Sequence, residues 1–202
     1  MRIISTALVT VVLISLNVAA EAVPILDQNQ PNHSIGVMHR FSTGGLVQSF
    51  QQDAGNIAGA GLWVSNYLSG WASATVTISL WASLADIGGT ALASGSATHA
   101  GNGWVDVFWN PYSVTPGTTM YLLFESTNGA QGLGGSGNVY ANGNLFAQST
   151  PTAVYDFSFR TYTDPNAVPV PEPDTYLLLL LGLAAMACTV RRRQTAAARR
   201  RI

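Results

Sequence analysis

The chain of 202 residues contains no lysine at all, and only 9% of it is charged, against about 25% in an ordinary soluble domain. So little charge argues against a typical cytosolic enzyme and against a charged disordered tail. Cysteine occurs once, as Cys188, so no intramolecular disulfide can form and no paired-thiol zinc site exists. Cations are scarce in the middle of the chain. Six of the nine arginines stand within 191–201, and only Arg40 and Arg160 lie between Val23 and Val170. Those two face seven carboxylates (Asp27, Asp53, Asp86, Asp106, Glu125, Asp156 and Asp164), a formal charge of −5 for that span. No nucleic-acid partner is expected for it, because phosphate binding needs clustered cations. The usual hydrolase signatures H-E-x-x-H and G-x-S-x-G are missing as well, and His33, His39 and His99 form no local metal motif.

What is present lies first at the two ends. Residues 1–22 begin with Arg2, run through the largely apolar Ile3–Val18 and end in small residues, the grammar of a signal peptide. Cleavage fits after Ala20 or after Ala22, and the second is preferred. Thr175–Val190 is a run of sixteen residues without a charge, closed by Arg191, Arg192 and Arg193. Sixteen is short of the roughly 20 helical residues that a bilayer core needs, but arginine snorkelling and local thinning cover the difference. The expectation is a transmembrane helix over 175–190. By the positive-inside rule its Arg-rich tail, 191–202, is cytoplasmic and the body is extracytoplasmic. Cys188 falls inside this run, where a thiol is a small hydrophobe.

Immediately before the apolar run stands a Pro-rich stalk, 166–174, in which Pro169, Pro171 and Pro173 remove amide donors and favour extended backbone. The order Pro171-Glu172-Pro173, apolar helix, Arg191–Arg193 resembles the PEP-CTERM sorting signal of Gram-negative bacteria. That resemblance covers about residues 168–193. It implies an exported protein, held in the inner membrane with its body in the periplasm until an exosortase-like protease processes it and it passes to the cell surface or extracellular matrix. Pro171, Glu172 and Pro173 would then be the recognition tripeptide and Arg191, Arg192 and Arg193 the charge cluster of the tail.

The body, 23–165, alternates like a sheet. In Thr75–Trp81, Val76, Ile78 and Leu80 fall on one face and Thr75, Thr77 and Ser79 on the other. Similar runs are Ile35–Phe41, Leu46–Phe50, Ile57–Val64, Leu92–Thr98, Trp104–Trp109, Met120–Glu125 and Tyr155–Tyr162, separated by Gly, Asn, Pro and Ser clusters with turn chemistry. About eight antiparallel strands with no crossover helix predict an all-β fold, a jelly-roll-like sandwich in preference to a barrel. The span Leu46–Thr163 is similar to β-sandwich bodies found ahead of PEP-CTERM tails and, through them, to carbohydrate-binding modules. No defined site carries over from that likeness.

Chemistry in the body is sparse. Gly132–Gly137 matches G-x-G-x-x-G, yet a turn precedes it and no helix follows, so it is expected to be a flexible rim loop and not a dinucleotide site. Asp27, Asp53 and Asp86 could hold a structural calcium only if the fold gathered them, and no cofactor or metal is expected. Asp106 and Glu125 lie within apolar strands, where a buried carboxylate needs a partner, and Arg160 is the basic candidate in that half. Sugar binding uses the faces of aromatic rings with amides nearby. Tyr67 and Trp71 in the loop 66–74, and Tyr140 with Asn142, are the candidates, with core packing kept open for Trp71 and Tyr140. Trp63, Trp81, Trp104 and Trp109 lie in strands and read mainly as core. The expected role is non-catalytic contact with exopolysaccharide. A structural matrix protein without ligand is the alternative, and a polysaccharide hydrolase a more distant one.

Overall fold

The computed structural model describes residues 23–65, 73–148, 150–152 and 154–167. The expected signal peptide, the stalk from residue 168, the transmembrane helix and the tail, together with Tyr67, Trp71, Pro171, Glu172, Pro173 and Arg191–Arg193, lie outside the described residues.

Thirteen strands follow one another in the described chain: β1 (Ile25–Gln30), β2 (Ile35–Arg40), β3 (Leu46–Gln51), β4 (Asn56–Ser65), β5 (Ala74–Trp81), β6 (Ala93–His99), β7 (Gly103–Ser113), β8 (Thr119–Ser126), β9 (Gly132–Gly137), β10 (Leu145–Ala147), β11 (Thr150–Thr152), β12 (Tyr155–Phe157) and β13 (Phe159–Thr163). Helical turns among the described residues are two three-residue 3₁₀ segments, Phe41–Thr43 and Leu84–Asp86. All pairings are antiparallel. The first sheet has the order β1-β13-β4-β9-β12, with β7 also on β4 and β2 also on β9; the second has the order β11-β10-β3-β8-β5-β6. From β3 to β10 the chain changes sheet at every connection except β5–β6, so the result is a jelly-roll-like β-sandwich.

The alternation seen in the sequence places the core. Leu46 and Phe50 of β3, Val76, Ile78 and Leu80 of β5, and Met120, Leu122 and Phe124 of β8 meet Ile57, Ala60, Leu62 and Val64 of β4, Val105 and Val107 of β7, Leu133, Phe157 and Phe159. Each of the fully buried Phe and Leu side chains contributes about 1.5–3 kcal/mol by leaving water. The core is polar at one end. Asp156 is fully buried and accepts bonds from Gln48 Nε2 at 3.1 Å, the Val139 amide at 2.9 Å and the Tyr140 amide at 2.8 Å.

Five strands exceed the eight expected, for physical reasons that the apolar pattern does not carry. In β1 the inward positions are Gln28 and Gln30, both buried, with Gln30 bonded to Ser136 Oγ and the Phe157 carbonyl. The run Tyr155–Tyr162 divides at Ser158 into β12, which pairs with β9, and β13, which pairs with β4. Strands β10 and β11 are three residues each. The expectation for Gly132–Gly137 is overturned: it is strand β9, buried at every position from Gly132 to Ser136. Glycine is required there by close approach. A Cβ at Gly132 would lie 2.5 Å from Val37 Cγ1, and one at Gly134 2.6 Å from Trp63 Cδ1.

Candidate functional site

Three cross-strand rows on the outer face of the first sheet build the site. Strand β4 has the sequence Gly59-Ala60-Gly61-Leu62-Trp63-Val64, and because Ala60, Leu62 and Val64 enter the core, Gly59, Gly61 and Trp63 must point out. By the same rule the inward Val105 and Val107 of β7 put Trp104, Asp106 and Phe108 outside, and the inward Phe159 and Thr161 of β13 put Arg160 and Tyr162 outside. Register then aligns them. Phe108 stands opposite Gly59 and Gly59 opposite Tyr162; Asp106 stands opposite Gly61 and Gly61 opposite Arg160; Trp104 stands opposite Trp63.

The two glycines are what lets the outer strands meet. Side chains on β7 and β13 are separated by a whole strand, about 9–10 Å from backbone to backbone. Above bare glycine they close the gap. Arg160 Nε donates to Asp106 Oδ1 at 2.7 Å, Arg160 Nη2 donates to Asp106 Oδ2, and Tyr162 Oη donates to Asp106 Oδ1 at 2.9 Å. A Cβ on Gly61 would run into Asp106 Oδ1 and lie 2.9 Å from Arg160 Cγ; one on Gly59 would lie 2.7 Å from Phe108 Cδ1. Gly134 of β9 extends this lane beneath Trp63 and His33, since its Cβ would lie 3.1 Å from His33 Cβ.

Over the glycine lane runs an unbroken strip of planar groups. His33 stacks on Trp63 with centroids 4.0 Å apart and planes within 10°. Trp63 meets Trp104 edge-on at 5.8 Å. The Arg160 guanidinium lies 4.2 Å over the Trp104 ring and 5.8 Å from that of Tyr162, and Tyr162 tilts against Phe108 at 5.0 Å. Phe108 is 51% exposed, and Leu26, opposite Tyr162 in β1, continues the strip at 47% exposure. Burial works against the Arg160 charge, but the bonds and charge of Asp106 outweigh it and raise its pKa. Burial first, and then the bond to Asp106, pushes Tyr162 well above the ordinary tyrosine range.

The residues named from sequence fall differently. Tyr140 is on another part of the molecule: its ring meets Phe159 edge-on at 5.0 Å, and its hydroxyl donates to Gln28 Oε1 at 3.0 Å while accepting from the Gln51 amide at 3.2 Å. Burial is the main cause that pushes this tyrosine up to about 12, with Asp53, Asp27 and Asp156 adding to it and the bond from Gln51 opposing. Asn142 is exposed in the turn that follows. Trp63 and Trp104 are corrected from core to outer face, where both are half-buried. Trp81 is buried, although outside the main core, and Trp109 packs on the core with Nε1 donating to the Ile57 carbonyl at 3.0 Å. The partner sought for Arg160 is Asp106; Glu125 is exposed on β8. The signal for the two tryptophans was legible in the alternation itself, because Asp106 shares a face with Trp104 and two glycines share one with Trp63.

Among the described residues no three His, Cys, Asp or Glu side chains gather in a way that could hold a metal ion. Asp27 accepts from the Asp53 and Ala54 amides, and Asp86 from the Ser83 hydroxyl. His39 lines a cavity of about 360 Å³ with Ile35, Val37, Met38, Thr152 and Tyr155, and burial lowers its pKa. No helix among the described residues is long and apolar enough to cross a membrane.

No curated protein and no solved structure matches the chain. Its C-terminal part does match a known family pattern: residues 169–194 fit the PEP-CTERM protein-sorting motif, in agreement with the Pro-Glu-Pro, apolar run and arginine cluster in the sequence. The chain thus carries a PEP-CTERM sorting motif, which supports export and exosortase-dependent sorting at the membrane toward the cell surface.

Proposed function

We propose that the body is a non-catalytic module that holds exopolysaccharide at the cell surface or in the matrix, and that the strip His33–Trp63–Trp104–Arg160–Tyr162–Phe108 is its contact face. The observation that carries this reading is the strip itself. Aromatic groups that continue one another across β7, β4 and β13 offer apolar area to sugar rings, the guanidinium and indole edges supply donors for hydroxyls, and the Tyr162 oxygen can accept. A sorting signal that delivers the body to the polysaccharide-rich exterior fits such a face. The charge content favours binding over turnover. Glycoside hydrolysis needs two carboxyl groups about 5–10 Å apart across a cleft, whereas the strip holds the one carboxylate Asp106, occupied by Arg160 and Tyr162.

Two experiments test it. In the full chain, solubilised in mild detergent, Trp63→Ala with Trp104→Ala should lower retention on host exopolysaccharide about tenfold or more, as loss of two stacking groups at about 1–3 kcal/mol each implies. Equal retention by wild type and the double variant, with the fold intact by circular dichroism, counts against the face. Release of reducing sugars that stops with Asp106→Asn would support a hydrolase instead. Replacement of Pro171, Glu172 and Pro173 by alanine should leave the unprocessed, membrane-held form; an unchanged mature mass and location would remove those three residues from sorting.

A further inference from the structure

We infer that the glycan taken by the aromatic face is neutral and not a polyuronate or other polyanion; this deepens the reading above and rests on it. The face is electrically balanced. Its one cation, Arg160, is held by two bonds to its one carboxylate, Asp106, which Tyr162 also binds, so no net positive charge is presented along the strip. The rest of the body adds no attraction for anions. Between residues 23 and 167 stand two arginines and seven carboxylates, a formal charge of −5. An anionic chain laid on the strip would therefore gain no counter-charge there and would approach a body of its own sign, and like charge slows encounter and disfavours docking. A neutral sugar chain meets no such barrier. Its contacts are ring stacking and hydrogen bonds to uncharged hydroxyls, and these are little affected by salt.

The geometry also explains why Arg160 does not act as an anion trap. A guanidinium recognises a carboxylate by a two-pronged bond, and on this face its Nε–Nη2 fork is already filled by Asp106 from the far side of Gly61. The remaining guanidinium surface lies over Trp104. An incoming uronate meets a guanidinium whose charge Asp106 already balances, and it could claim the Nε–Nη2 fork only by displacing a carboxylate fixed at once by Arg160 and Tyr162.

The full chain in mild detergent, with Arg191, Arg192, Arg193, Arg199, Arg200 and Arg201 replaced by glutamine so that the tail cannot hold a polyanion, is passed over beads of neutral glucan, neutral mannan and polygalacturonate, at low and at molar sodium chloride. Retention on a neutral polysaccharide, changing less than about twofold between the two salt conditions, with none on polygalacturonate, is the expected result. Salt-sensitive retention on polygalacturonate equal to or above that on the neutral beads overturns the inference and leaves the general polysaccharide reading standing. Retention on none of the three removes the polysaccharide reading itself. Asp106→Asn uncovers the Arg160 charge, so the ratio of polygalacturonate to neutral retention at low salt should rise roughly two- to fivefold, the worth of one exposed ion pair. An unchanged ratio shows that the Asp106–Arg160 pairing does not set selectivity.

Discussion

The outer faces of the two sheets start from similar material and end differently. Each carries outward tryptophan: Trp81 on β5 of the second sheet, Trp63 and Trp104 on β4 and β7 of the first. Over the second sheet the segment 82–92 folds back, and its Leu84, Ile87 and Ala91 pack with Val47, Trp81, Leu123 and Phe146 into a small second core. Trp81 is left 5% exposed, its Nε1 donating to Ser79 Oγ at 2.8 Å. On the first sheet the corresponding rings lie against one another, against Arg160 and over bare glycine, and Phe108 remains half in water. An aromatic residue on a sheet exterior is thus packing where a loop returns to cover it, and a candidate contact surface where glycine floors it and no described segment seals it.

Substitutions can break this contrast, and the largest effect on stability is expected under the loop. Trp81→Ala should cost about 3–5 kcal/mol by urea unfolding, with glycan retention of the folded fraction unaltered, whereas Trp63→Ala should cost only about 1 kcal/mol and act on retention. Equal stability costs would mean that the two faces do not differ in kind. Next comes the glycine floor. Gly61→Val places a branched side chain where Asp106 and Arg160 meet, and should cost roughly 1–3 kcal/mol by overpacking while weakening retention. A Gly61→Val protein that keeps both properties would show that the lane is incidental.

The smallest effect is a pH dependence. Tyr140 is raised to about 12 and Tyr162 is raised as well, so in the folded state both favour the neutral form more than in the unfolded chain, where a tyrosine titrates near 10. The stability they contribute is therefore fully present below about pH 10 and is lost as pH rises from there through the folded values. Unfolding free energy measured from pH 8 to pH 12 should stay level and then decline. Tyr140→Phe and Tyr162→Phe should each flatten part of that decline, the first through the polar end of the core and the second through the strip.

Strands with an apolar stripe were legible because inward residues recur every second position: β3, β5, β7 and β8 lie where Leu46–Phe50, Thr75–Trp81, Trp104–Trp109 and Met120–Glu125 predict them. Strand β1 was not, because its inward residues are glutamines whose burial is compensated by side-chain bonds with Tyr140, Ser136 and Phe157, far along the chain. Strand β9 was not, because glycine shows no periodicity; its place is set by the side chains of Val37, Met38 and Trp63 that close over it. The contact face was half legible. Alternation alone puts Trp104, Asp106 and Phe108 on one side of β7, but a tryptophan beside a valine, as Trp104 beside Val105, invites a core assignment by composition.

The sequence by itself determined the all-β character, the poverty of cations and the sorting motif, since alternation, composition and a contiguous Pro-Glu-Pro, apolar run and arginine cluster are local properties. Only tertiary structure decided which tryptophans are covered and that Asp106 belongs to Arg160, 54 residues away. Those outcomes depend on register between β7, β4 and β13 and on where the segment 82–92 lies. Pairing across a glycine strand is a relation between three distant segments, and no one of them carries it alone.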